Sequence, residues 1–274
     1  MNAGSAKLGT QENFPFRPSF SIPMSFSIDI SETSGVRYLH FGSTWIQGAM
    51  RIARPWNLEL EYTKEMMASL LLREDSHFPR KVLLIGLGAA SLTKFLYRNY
   101  PLAKLTVVEI EPAVIAAARQ FFKLPDDPLR LKIVIGDGAE FVVNSTQTYD
   151  LILVDGFDAE ARAGALDTIP FYQAARAHLN ESGIMAVNLL GRSKGFAASV
   201  ERIGNAFDNR AIAFPSCDSG NTICFAATGD AINVALDDLK DQAGELKEKT
   251  GLNLTPTLTR LEQAQSCLGG VLVL

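Results

Sequence analysis

Gly86-Leu87-Gly88, Glu109, Asp137 and Asp155 with Asp158 each stand at the end of an apolar run, where glycines and acids can handle a nucleoside. The run Val82 to Ile85 leads into Gly86-Leu87-Gly88-Ala89-Ala90-Ser91 and then a helical segment, Leu92 to Tyr100. Glycines there let the backbone approach a ligand closely, and the N–H groups opening the helix take polar ligand atoms. Glu109 follows 21 residues past Gly88, at the end of the next apolar run. A carboxylate at that place accepts hydrogen bonds from both hydroxyls of a ribose. The same two features fit a nicotinamide dinucleotide equally well. Glu111, two residues on, reads as a surface acid favoured by the dipole of the following helix.

Gly136-Asp137-Gly138 and Asp155-Gly156-Phe157-Asp158 close the third and fourth runs. Open α/β sheets bind ligands outside the carboxyl ends of their strands, so four successive strand ends carry site-type residues. A dinucleotide does not require the last two. Asp137 suits the amino group of an adenine, with Gly138 leaving room for the ring. A helix N-cap before Ala139 to Val143 is the competing use for Asp137. Asp155 and Asp158 sit directly after a hydrophobic strand, where burying an acid is costly without a partner. A cationic substrate is one such partner, and an ordinary loop position is the alternative for Asp158.

The elements that must position these residues follow from periodicity. Unbroken apolar runs at Val82 to Ile85, Leu105 to Ile110, Leu131 to Ile135, Leu151 to Val154 and Ile184 to Leu189 alternate with helical segments. Strands of this kind belong to a parallel sheet buried on both faces. Pro112 fits the first turn of a helix over Ala113 to Phe122. A further helix covers Ala198 to Phe207, and Arg210 to Phe214 with Thr222 to Thr228 read as a final antiparallel hairpin. Upstream, Phe26 to Met50 alternates apolar with polar residues between glycines, the pattern of two or three short antiparallel strands. Glu59 to Leu72 has the spacing of one helix packed on the sheet. Asn233 to Lys249 reads as a solvated amphipathic helix, and Leu252 to Leu274 has no clear pattern. The expected division is a flexible tail over 1–24, a small β domain over 25–58, a Rossmann-like domain over 59–230 and a helical or irregular extension over 231–274.

The chain has 274 residues, 47% of them apolar, enough to bury a large core. With 26 basic against 30 acidic residues, it offers no electrostatic footprint for nucleic acid or an anionic membrane. Cys217, Cys224 and Cys267 form no CxxC pair and stand near no histidine cluster, so neither a metal site nor a disulfide framework is expected. A reducing cytoplasm fits this cysteine usage. No run reaches the roughly 18 to 20 apolar residues of a transmembrane helix. Met1 to Pro23 lacks the charged and apolar regions of a secretory signal and reads as a loose tail. His40, His77 and His178 are isolated, as surface or packing residues are. Trp45 and Trp56 flank the β region and are expected to pack there, with a wall of the amine pocket as the alternative.

Together these residues resemble the spermidine synthase family, the polyamine aminopropyltransferases, and especially its divergent bacterial members. The carriers are Ile46-Gln47, Glu61-Tyr62-Thr63 before Met66-Met67, Val82 to Gly88, Val108 to Glu111, Gly136 to Gly138, and Tyr149 to Asp155. The resemblance implies a small N-terminal β domain followed by a seven-stranded class I methyltransferase-like Rossmann domain, assembled as a homodimer or homotetramer. It implies transfer of an aminopropyl group from decarboxylated S-adenosylmethionine to a small-molecule amine such as putrescine. Carried over by position, Gln47 and Tyr62 contact the substrates, Gly86, Gly88 and Glu109 hold the donor, and Asp137 with Gly138 frames the adenine. Asp155 is then the proton acceptor for the attacking amine and Asp158 a second amine-binding carboxylate.

The chain also departs from that pattern. Ala89 stands where the family has an acid, Thr63 where it has a histidine, and Ala159 to Gly164 where it has a loop rich in Pro and Gly. Aminopropyl transfer ranks first, because both strand-end aspartates are present. Second is a methyltransferase using intact S-adenosylmethionine, since Ala89 does not repel the donor's carboxylate. A nicotinamide-dependent oxidoreductase comes third, without a Tyr-Lys or His-Asp arrangement, and a nucleoside-binding protein without turnover fourth.

Overall fold

The computed structural model describes residues 27–75, 77–157, 162–217 and 220–274. The N-terminal tail and Asp158 lie outside them. Three short strands come first, β1 (Ile28–Thr33), β2 (Val36–Phe41) and β3 (Gly48–Arg51), in an antiparallel sheet of that order. Ser34 and Gly35, both at positive φ, form the two-residue turn that twists β1 back onto β2. Next is α1 (Glu61–Met66), continued by a 3-10 turn over Met67–Leu71. The single helix expected over Glu59 to Leu72 is therefore two pieces. Local hydroxyls compete with the helical ladder here, Thr63 donating to the Leu60 carbonyl and Ser69 to that of Met66.

The alternating part follows as β4 (Lys81–Ile85), α2 (Ser91–Asn99), β5 (Lys104–Glu109), α3 (Pro112–Phe121), β6 (Leu131–Ile135), α4 (Gly138–Asn144) and β7 (Tyr149–Val154). It continues with α5 (Ile169–Ala177), β8 (Leu179–Leu190), α6 (Phe196–Ala206), β9 (Ala211–Ala213) and β10 (Asn221–Ala227). The seven strands lie in the order β6-β5-β4-β7-β8-β10-β9, parallel up to β8, with β10 antiparallel to both β8 and β9. This is the parallel sheet with a terminal hairpin that the apolar runs imply.

Successive side chains on these strands enter two cores. Val82, Leu84, Leu151 and Leu153 face one side, with α1, α2 and α3, while Leu83, Ile85, Ile152 and Val154 face the other, with α5 and α6. The chain after Asp230 also belongs to the first core, which corrects the expectation of a solvated helix. It forms β11 (Asn233–Ala235), α7 (Leu236–Thr250), α8 (Thr255–Gln263) and β12 (Val271–Val273), with β11 pairing to β12. Leu236, Leu239, Ala243 and Leu246 turn one stripe of α7 inward, and Leu258 and Leu261 do so from α8. That stripe is diluted by charged neighbours in the sequence, so only the packing makes it evident. Leu261→Ala should cost about 2–5 kcal/mol, read from a urea titration of the whole chain. A midpoint equal to that of the native protein would mean that the C-terminal segment adds nothing to the cooperative core.

Candidate active site

The chain turns from β4 to β5 and β6 on one side of the sheet and then crosses to β7 on the other. A crevice opens at such a reversal, outside the carboxyl ends of the strands. Gly86, Glu109, Asp137 and Asp155 follow or end the four strands at that edge. Gly86 is at φ +92°, and a Cβ there would lie 2.1 Å from the Asp155 carbonyl oxygen. No other residue fits. The Asp155 N–H donates to the Ile85 carbonyl and the Gly86 N–H to that of Val108, so the turn is stitched to both neighbouring strands.

Glu109 is buried, and its two oxygens accept from the main-chain N–H groups of Leu87 and Glu111. Its carboxyl is pushed up by burial, an effect those backbone donors partly offset. It is thus fixed against the Gly86 to Gly88 turn. Glu111 is not a surface acid as expected, being only 8% exposed. It is the N-cap of α3, accepting from the Ala113 N–H. Asp137 likewise caps α4, where one oxygen accepts from the N–H groups of Ala139 and Glu140. The other makes no hydrogen bond among the described residues, so capping and ligand contact are compatible. Gly138 is buried beside Ile85.

Asp155 is partly buried and held from two sides. The Tyr62 hydroxyl donates to its Oδ2 at 3.1 Å, and the Asn188 amide donates to its Oδ1 at 2.8 Å. Asn188 is in turn oriented by the Asn221 amide, which donates to its Oδ1 at 2.9 Å. Desolvation raises the Asp155 carboxyl above the usual aspartate range, while the two hydrogen bonds pull it down. Tyr62 is driven well above the ordinary phenol value, first by burial and then by the Asp155 charge, so it remains the donor. Asn188 and Asn221 are absent from the candidate residues drawn from the sequence. The signal was there in Asn188, a single amide inside the apolar run Ile184 to Leu189, and it is 4% exposed.

The β cap reaches the same turn. The Gln47 carbonyl oxygen lies 3.2 Å from where a Cβ on Gly88 would stand, and a Cβ on Gly48 would lie 2.6 Å from that of Ala89. Ala89 is 2% exposed, so the position where the resemblance expects an acid is filled by close packing against β3. Thr63 is buried and its hydroxyl is committed to Leu60. Trp45 does not pack as expected, being 56% exposed in a loop whose residues 42–46 are all exposed. Trp56 packs in part, under the Arg98 guanidinium. Among the described residues no group of three His, Cys, Asp or Glu side chains could hold a metal ion, and no helix is long and apolar enough to cross a membrane.

The sheet order and the reversal between β4 and β7 define a class I methyltransferase-like Rossmann protein. Residues 60–190 match the family described as the spermine/spermidine synthase domain. A polyamine aminopropyltransferase of Chromobacterium violaceum is 34% identical over 247 residues, covering 90% of this chain and 94% of the relative. The chain belongs to this family. Two solved structures share the fold. A spermidine synthase in complex with the transition state analogue AdoDATO aligns at a TM-score of 0.56 and 24% identity, over 74% of each chain. Human methyltransferase-like protein 13 in complex with SAH aligns at 0.62 and 24% identity, over 70% of this chain and 93% of its own.

Asp137→Ala should lower stability by about 1 kcal/mol, and Asp137→Ser should restore most of it, since serine caps as well. Equal denaturation midpoints for the native chain and the alanine variant would show that the cap is not what holds this side chain.

Proposed function

We propose that the protein is an aminopropyltransferase, moving an aminopropyl group from decarboxylated S-adenosylmethionine to a small polyamine acceptor such as putrescine and leaving methylthioadenosine. The observation that carries this reading is Asp155, a carboxylate at the strand reversal with each oxygen oriented by a neutral donor. A primary amine has a pKa near that of lysine, about 10.4, so at neutral pH it must lose a proton before it can attack. Asp155 binds the ammonium and takes that proton, and its burial strengthens it as a base. The amine nitrogen then bonds to the carbon next to the sulfonium as the carbon–sulfur bond breaks, its electron pair going to sulfur. Alignment of nitrogen, carbon and sulfur supplies most of the remaining rate.

Glu109 accepts the ribose hydroxyls, Asp137 with Gly138 frames the adenine, and Gly86 and Gly88 let the donor approach the backbone. Gln47 lies on the donor side of the turn and Tyr62 on the acceptor side. Asp158, outside the described residues, is assigned to the far amine. The family membership supports a soluble cytoplasmic enzyme working as a homodimer or homotetramer. A second reading, methyl transfer from intact S-adenosylmethionine, is favoured by the packing of Ala89 against Gly48, which leaves no acid in the turn to repel a donor carboxylate.

Thermal unfolding with decarboxylated S-adenosylmethionine, methylthioadenosine, S-adenosylmethionine, its demethylated product and NAD separates these readings. A ligand at about 100 times its dissociation constant stabilises by roughly 2.7 kcal/mol. The first two should stabilise most, a preference for the next two would favour methyl transfer, and a response to NAD alone would overturn both. Asp155→Asn should lower amine transfer about a hundredfold or more while nucleoside affinity stays within about twofold. Retained transfer would remove Asp155 from the mechanism.

A further inference from the structure

Tyr62 can orient Asp155 only if α1 is itself held in place. This helix has six residues, no side chain caps its start, and helices so short have little stability of their own. Its position is set from outside. Three residues beyond Tyr62, Glu65 is 0% exposed, and its Oε2 accepts from the Arg260 guanidinium and, at 3.4 Å, from the Thr257 hydroxyl. Both donors stand on α8, near the far end of the chain. Among the described residues Glu65 Oε1 has no hydrogen-bond partner.

An ion pair of this kind is a poor way to gain stability. Desolvation of the carboxylate offsets most of the attraction, and a well-packed apolar pair would serve as well or better. What an apolar pair cannot supply is a direction, since methionines and leucines pack at many rotations of a short helix. The tolerance at the site is small. A phenol hydroxyl lies roughly 9 Å from the helix axis, so turning α1 by about 20° would carry it about 3 Å, a whole hydrogen-bond length.

We propose that Glu65 and Arg260 form a positioning pair, by which α8 locks the rotation of α1 and so keeps the Tyr62 hydroxyl on Asp155. The C-terminal segment thereby becomes part of the reaction machinery although it contributes no group to the crevice. The catalytic consequence rests on the reading of Asp155 as proton acceptor. The effect on the ionisation of Asp155 rests on geometry alone. The groups that matter are few. Glu65 faces Arg260 and Thr257 from α8 and senses Glu61 on its own helix. Asp155 faces Tyr62 from α1 and Asn188 from β8, and Tyr62 also senses Cys217.

The test uses the full chain and the variants Tyr62→Phe, Arg260→Met, their combination, and the apolar replacement Glu65→Leu with Arg260→Met. The titration of the Asp155 carboxyl is followed by carbon NMR, assigned with Asp155→Asn, alongside the pH profile of transfer and the unfolding midpoint. The Tyr62 hydrogen bond holds the Asp155 pKa down, so its loss moves the titration, and the acid limb of activity, to higher pH. Arg260→Met should move both in that direction. The combination with Tyr62→Phe should go no further than Tyr62→Phe alone, because Arg260 acts through Tyr62. The rate constant should fall about tenfold with the KM for the donor within about twofold, and Arg260→Lys should restore most of it. The apolar replacement should unfold at or above the native midpoint and still show the displaced titration.

An Asp155 titration at its native position in both Arg260→Met and the apolar replacement would overturn the proposal, as would full additivity with Tyr62→Phe. A displaced titration in a chain that transfers no aminopropyl group would leave the positioning pair standing and remove the proposed function. An undisturbed titration in an active enzyme would do the reverse.

Discussion

The carboxyl ends of β4 and β7 meet backbone to backbone, and the crevice is organised around that contact. At Gly86 the space for a Cβ is taken by the Asp155 carbonyl oxygen, and the Asp155 N–H is bonded to Ile85. Strands parallel and adjacent in the sheet therefore end in a glycine turn on one side and an acid on the other, a hydrogen bond apart. The turn is also fastened to Glu109 through the Leu87 N–H, so three of the candidate residues are placed by main-chain geometry rather than by side-chain packing. Such placement needs no reorganisation when a ligand arrives.

The polar partners inside this frame are chosen by charge as well as by position. Asp155 is oriented by a phenol and an amide, not by a lysine or arginine. A cation there would hold the carboxylate ionised and weaken its basicity. Among the described residues its hydrogen-bond donors are neutral. Lys94, buried on the helix that opens at the glycine turn, has its pKa pulled down to about 7 by desolvation.

One face of the sheet carries more than structural helices. The β cap closes over the glycine turn through Gly48 and Ala89, and α1 lies over β8 and β10 with Tyr62 aimed at the strand end. Behind α1, the C-terminal helices complete the same core. The departure at Ala89 is accommodated by this packing. Ala89 is tight against the cap, where a Cβ on Gly48 would lie 2.6 Å from its own.

Strand runs, the helices between them, the glycine turn and the acids that follow each run were legible in the sequence, because each depends on neighbours within a few residues. A two- or four-residue period, a Pro at a helix start or a glycine before a helix is a local fact. The site partners were not legible in the same way. Tyr62 meets Asp155 across 93 residues, Asn188 meets it across 33, and Glu65 meets Arg260 across 195. Nor could sequence separate the surface acid from the buried N-cap at Glu111, or the solvated helix from the core-facing α7, since both uses share a composition. The sequence by itself determined which elements form and which acids stand at their ends. Only the tertiary structure decided which donors reach those acids, because hydrogen bonds between distant elements depend on how the layers pack.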